Sequence, residues 1–243
     1  MNIAEKLTTI AENEQIVAEK NTELEEALYS KSEGGKSWYD AFWDNFQSFS
    51  GQETQCMFAG KGWTKEIFKP KRDIKVKNGY LFFYNNNMAE DLSQLLSNLG
   101  VKLDTSEMFN GQYLFWYSRF TRVPEIDIRA TTSTGQTQEM FRTNSLVTVD
   151  KLIVKEENIY NQYMFNGATN LKNITIEGVI GNNFDIQYCP LTKESITSVI
   201  NALSSSATGK TVTFKKTAKE AAFTQEEWEA LISTKSNWTI SLV

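Results

Sequence analysis

Internal repetition between residues 70 and 180 constrains this chain more than any other feature. An apolar-x-x-apolar-x-apolar pattern occurs at Val123/Ile126/Ile128, Val149/Leu152/Val154 and Leu171/Ile174/Ile176, with looser copies ending at Val76 and Leu103. Successive copies end 27, 25, 26 and 22 residues apart. The alternating end of each copy reads as a short strand with one inward face. A single unit of this size cannot bury that face, so neighbours must stack, and most gaps are too short for the crossover helices of an ordinary α/β domain. The pattern predicts an α/β solenoid with a parallel sheet along one side. Pro70 and Pro124 fall just before strands, where a missing N–H is tolerated. A second marker is the pair Met57-Phe58, Met108-Phe109, Met140-Phe141 and Met164-Phe165.

In front of the repeats, Ile3, Ile10, Val17 and Leu24 fall at heptad position d, and Leu7, Glu14, Asn21 and Leu28 at a. Neither Gly nor Pro occurs before Gly34. The stripe is too narrow and too polar for a globular core, and suits the seam of a short coiled coil. Polar Glu14 and Asn21 fix register, and β-branched residues at d lean toward three strands. About 26 residues at 1.5 Å rise make a rod of roughly 40 Å. A lone amphipathic helix lying on the next domain is the alternative. The polar segment Ser30 to Ser37, with Gly34 and Gly35, reads as a hinge. Trp38, Phe42 and Phe46 then recur at helical spacing beside Trp43 and Phe49, an aromatic helix suited to capping a repeat stack.

At the other end, Ile196, Val199, Ile200 and Leu203 line one helix face, and Thr224 with Glu227 forms a capping box ahead of Trp228, Leu231 and Ile232. Two helix-strand units therefore close the stack. The expected organisation is an oligomerisation helix over 1–30, hinge and capping helix over 31–50, repeats over 51–190, and helix-strand cap over 191–243.

Composition bears on chemistry. The chain has no His, which removes Ser-His-Asp and Cys-His catalysis and His-ligated zinc. Ala59-Gly60-Lys61-Gly62 lacks the spacing of a phosphate-binding loop, and Glu25/Glu26 and Glu156/Glu157 read as solvated charge. No enzyme, cofactor or metal is expected. A net charge of −5 weighs against nucleic acid. Cys56 and Cys189 form no CxxC motif and read as free thiols, buried or semi-buried, in a chain folded in the cytosol. No signal peptide is read at the N-terminus, and no window approaches the ~18 apolar residues of a membrane span.

Two surfaces are candidates for partner contact. Residues between the inward strand positions, namely Asp73, Lys75, Lys77, Lys102, Asp104, Glu125, Asp127, Arg129, Lys151, Lys155, Thr175 and Glu177, are expected on the outer sheet face. Two aromatic strings, Tyr80-Leu81-Phe82-Phe83-Tyr84 and Tyr113-Leu114-Phe115-Trp116-Tyr117, read as alternating strands. Half of their side chains would then point outward, with Tyr80, Tyr84, Tyr113, Trp116 and Tyr117 as candidate contacts. Burial of both strings between repeats is the other reading.

The segment from Met164 to Ile176, MFNGATNLKNITI, resembles the BspA-type leucine-rich repeat, with its aromatic turn followed by Leu-x-x-Ile-x-Ile. The stretch from Leu191-Thr192-Lys193-Glu194-Ser195-Ile196 through Thr211-Val212-Thr213-Phe214 to Trp238-Thr239-Ile240 resembles the end of such proteins encoded by phages of gut Firmicutes. The heptad segment followed by Lys36-Ser37-Trp38-Tyr39-Asp40 resembles the front of the same group. Residues 78–90 and 110–120 depart from the family spacing as insertions.

The resemblance implies a non-enzymatic, tail-associated protein of the virion, assembled in the host cytoplasm. It would display repeats on a trimeric stalk to a host-surface protein or glycan, and would also touch other virion proteins. A structural or assembly protein of the virion is the alternative, and a bacterial surface adhesin a further one.

Overall fold

The computed structural model describes residues 31–32, 36–37, 43, 54–88 and 90–243. The chain divides into two compact units, Met1–Phe46 and Gln47–Val243. In the first, β1 (Lys31–Ser32) pairs antiparallel with β2 (Lys36–Ser37) within the segment read as a hinge. Trp43 is helical and buried there. The heptad residues from Ile3 to Leu28, and Trp38, Phe42, Phe46 and Phe49, lie outside the described residues.

The second unit is α/β, with small parallel sheets and, among the described residues, four α-helices. β3 (Ile74–Lys75) pairs with β4 (Leu103–Asp104). β5 (Arg122–Asp127), β6 (Thr148–Val154) and β7 (Asn173–Gly178) form a three-stranded parallel sheet in that order, with Pro124 inside edge strand β5 rather than before it. β8 (Phe184–Ile186), β9 (Lys210–Phe214) and β10 (Trp238–Leu242) form another. Val123, Val149 and Ile174 share one register position and Ile126, Leu152 and Ile176 the next, all buried. The sequence pattern instead matched Leu171 to Val149 and Ile174 to Leu152. The ladder shifts because Val149 and Leu152 are three residues apart where Ile174 and Ile176 are two, which leaves a bulge in β6. Leu171 lies ahead of β7, and Lys172 N–H bonds to Val147 C=O.

Beside the strands runs a set of bent rungs over 54–60, 79–85, 111–117, 137–143 and 161–167. Each rung donates backbone N–H groups to carbonyls of the next: Phe58 to Phe82 at 2.9 Å, Phe83 to Leu114 at 2.9 Å, Phe115 to Met140 at 2.9 Å and Phe141 to Met164 at 2.9 Å. The intervening N–H groups close turns within the rung, as Phe82 does to Gly79 and Tyr84 to Leu81. Such turns need left-handed backbone, and Cys56, Leu81, Asn85, Tyr113, Tyr117 and Glu139 have φ of 58, 54, 52, 60, 54 and 48°. The aromatic strings are therefore turn ribbons, not alternating strands. Adjacent Phe82 and Phe83 are both fully buried, as are Leu114 and Phe115, a result that strand alternation forbids.

This geometry also corrects the Met-Phe marker. The equivalent pairs are Met57-Phe58, Phe82-Phe83, Leu114-Phe115, Met140-Phe141 and Met164-Phe165. Their Phe rings stack in a column: Phe58 on Phe83 at 5.7 Å, Phe83 on Phe115 at 5.6 Å, Phe115 on Phe141 at 5.8 Å and Phe141 on Phe165 at 5.0 Å. Met108-Phe109 lies off the column, with Met108 buried beneath Gly79 and Gly111 and Phe109 exposed. Residues 78–90 and 110–120, read as insertions, supply two of the five rungs.

Helices are interspersed among the strands. α1 (Leu92–Leu99) starts at Asp91, which accepts from Gln94 N–H at 2.8 Å, and ends at Gly100 with φ 69°. α2 (Lys193–Ala202) packs on β7 and buries Ile196, Val199 and Ile200, with Leu203 as its buried C-cap. Its Ser195 and Ser198 hydroxyls accept from Ile174 N–H at 2.9 Å and Ile176 N–H at 2.8 Å, replacing a further strand at that edge. α3 (Lys216–Ala222) precedes α4 (Gln225–Ser233), and α4 begins with the Thr224–Glu227 capping box.

Candidate functional site

Charges on the outer face of β5–β7 are largely satisfied within the face. The β5–β6 register places Lys151 3.1 Å from Glu125, and from the β6 bulge Lys151 also lies 2.7 Å from Glu177. The Glu177 and then the Glu125 hydrogen bonds raise the Lys151 pKa. Arg122 bonds Asp150 at 2.5 Å and reaches Asp91 at 3.7 Å. Lys77 pairs with Glu107 at 2.7 Å, and Asp73 accepts Lys102 N–H at 2.8 Å. Asp104 accepts from the Ser106 hydroxyl at 2.6 Å, which holds its carboxyl below the usual range. Lys75 and Thr175 are exposed, and half-buried Lys155 lies in the turn after β6. Asp127 is not a surface residue, since its side chain is only 6% exposed. Arg129 clamps it at 2.6 Å, and Thr105 Oγ1 takes the Asp127 N–H at 2.6 Å.

The rung side carries different chemistry. Tyr84 packs on Trp116 at 5.1 Å, Tyr113 on Trp116 at 4.8 Å, and Tyr80 meets Tyr113 edge-on at 5.9 Å. Trp116 stacks on Tyr117 at 4.9 Å. Arg142 stands 5.9 Å from the Trp116 ring centre and 5.6 Å from that of Tyr117, held by both Glu139 oxygens at 2.8 Å. The structure thus brings all five candidate aromatics together. Tyr117 is 51% exposed, whereas Tyr80, Tyr84, Tyr113 and Trp116 are half-buried.

A feature that no sequence pattern marked lies further along the same side. A cleft of about 440 Å³ is lined by Thr134, Tyr160, Asn161, Gln162, Asn183, Phe184, Asp185, Thr211 and Thr213. The alternation of β8 and β9 buries Phe184, Val212 and Phe214 and leaves Asp185, Thr211 and Thr213 on the cleft side. Burial pushes the Asp185 carboxyl up, against hydrogen bonds from Gln187 N–H at 3.1 Å and Nε2 at 2.8 Å.

Among the described residues no group of three or more His, Cys, Asp or Glu side chains could hold a metal, and no helix is long and apolar enough to cross a membrane. Cys189 is buried, with its thiol pushed up by desolvation, whereas Cys56 is exposed rather than the buried or semi-buried thiol expected. No family model, curated protein or solved structure matches the chain.

Proposed function

We propose that this chain is a non-enzymatic recognition protein of a phage tail, in which a solenoid of leucine-rich-type repeats is carried on an N-terminal coiled coil and presented to the host surface. The observation that supports this reading most is the parallel pairing of equivalent segments from Phe58 to Phe165 and from β5 to β7. Side chains at equivalent positions then form continuous columns, the geometry from which repeat proteins build extended binding surfaces. The rung side is the favoured contact surface. Its aromatic cluster holds exposed Tyr117, while the charges of the sheet face are occupied by one another. Paired surface charges give a partner little to gain.

The test is a binding measurement with the purified full chain and intact cells of gut Firmicutes, with mass-resolved light scattering of the same sample. A trimer that binds cells through the rung side is the expected result. Tyr117→Ala should weaken that binding, and Lys151→Ala should leave it unchanged. A monomer at micromolar concentration, or a chain that ignores cells and binds a tail protein tightly, would replace this reading with that of an assembly component.

A further inference from the structure

We propose that the cleft between residues 160–162 and strands β8 and β9 is a binding site for a neutral, hydroxyl-rich saccharide. The inference rests on the recognition reading above and deepens it by naming the ligand class.

Donors and acceptors in the cleft are fixed by the backbone around it. Asn161 Oδ1 accepts Tyr163 N–H at 2.8 Å, and Asn183 Oδ1 accepts Thr211 N–H at 2.9 Å. A backbone donor can only face the amide oxygen, so in both residues the remaining group is the Nδ2 donor. No hydrogen bond among the described residues takes up either donor. Asp185 supplies carboxylate acceptors on the same wall, and the Thr211 and Thr213 hydroxyls serve in either role. A sugar hydroxyl both gives and takes a hydrogen bond, so adjacent hydroxyls suit an amide donor set beside a carboxylate acceptor.

The rest of the cleft agrees with that ligand. Its volume of about 440 Å³ lies within the range of small-molecule sites. Asp185 is the sole charged residue in the lining, which disfavours a polyanion and gives a polycation little to hold. Both aromatic lining residues are buried, Tyr160 at 6% and Phe184 at 1% exposure, so the cleft offers no exposed apolar anchor for a protein partner. Tyr160 keeps its hydroxyl buried without a partner, an unmet hydrogen bond in the wall of the site. From the cleft, Gln162, Gln138 and Gln112 occupy one column leading toward the aromatic cluster, and the last two are joined at 3.0 Å. A chain of sugars leaving the cleft along this column would meet amides and then ring faces.

The experiment applies the full chain to a printed array of neutral and acidic microbial glycans, beside Asn183→Ala, Thr213→Val and, on the sheet face, Lys151→Ala. Thr213→Val keeps the shape of the side chain and removes its hydroxyl, so it guards against a folding defect in Asn183→Ala, with melting temperature as the check. Binding to neutral glycans that falls at least about tenfold (1.4 kcal/mol) in each cleft variant and persists in Lys151→Ala supports the proposal. Binding to no neutral glycan, binding to acidic glycans alone, or neutral binding unmoved by Thr213→Val overturns it. A chain that binds bacterial cells yet fails on the array sinks the saccharide site and leaves the recognition reading intact.

Discussion

Tyr160 is a residue at which the fold accepts a cost. Its ring meets Phe184 edge-on at 5.1 Å, but its hydroxyl is buried without a partner and burial raises its pKa. Leaving such a group unpaired costs about 1–3 kcal/mol, so Tyr160→Phe should raise the unfolding free energy by about 1 kcal/mol, read from the denaturant midpoint. A loss of stability would show that the hydroxyl is bonded in solution. Gly178 is the converse case. Its φ is 101°, and a Cβ there would run into the Val154 carbonyl oxygen. Gly178→Ala should cost about 2–3 kcal/mol in the same measurement. Asp185 adds a pH effect of known sign. Its folded pKa is raised above the unfolded value, so the folded state holds the proton more tightly, and stability falls as pH rises through that window. Asp185→Asn should therefore gain melting temperature on the parent chain at neutral pH, and the gain should vanish below the ordinary carboxylate range. None of these three residues was legible in sequence. Tyr160 acquires its character from Phe184, more than twenty positions away, Asp185 from its burial in the fold, and Gly178 from a carbonyl one repeat earlier.

The elements were legible where one face of regular structure is buried. Leu152 with Val154 and Ile174 with Ile176 declared themselves as strand residues through the two-residue spacing of one buried face. The rungs did not, because most of their left-handed positions are Cys56, Leu81, Tyr113, Tyr117 and Glu139, residue types that announce no turn; only Gly60, Asn85 and Gly167 are customary choices. Two of the equivalent apolar-Phe pairs also begin with Phe82 and Leu114 rather than Met, which concealed the column. The edge of β7 was equally hidden. Ser195 and Ser198 look like ordinary helix residues, yet their hydroxyls take the N–H groups of Ile174 and Ile176 where another strand would otherwise pair. Ile174 is 2% exposed and Ile176 9%, so water cannot readily replace these acceptors. Replacing both serines with alanine should cost about 2–4 kcal/mol, each orphaned donor contributing about 1–3 less what relaxation recovers. Hydrogen exchange at the two amides should accelerate together. Loss of stability without faster exchange would place the cost in helix α2 instead.

For the whole molecule, the division into Met1–Phe46 and Gln47–Val243 makes assembly and folding separable. The proposed stalk depends on Ile10 and Val17 at d, where a charge would face like charges from neighbouring helices across the seam. The larger unit has its own Phe column, sheets and helices. Ile10→Glu with Val17→Glu should therefore convert a trimer to a monomer in light scattering while the urea midpoint of the larger unit, followed by Trp228 and Trp238 fluorescence, stays where it is. Recognition should respond more strongly than stability. If several weak sites act together, joining them on one stalk raises apparent affinity by about 10²–10⁴, and the double variant should lose that gain on a cell surface. Its affinity for a single soluble glycan should not change, because each cleft lies wholly within one copy. A variant that stays trimeric would remove the heptad from the seam. One that becomes monomeric yet binds cells as tightly as before would show that each copy makes the full contact alone.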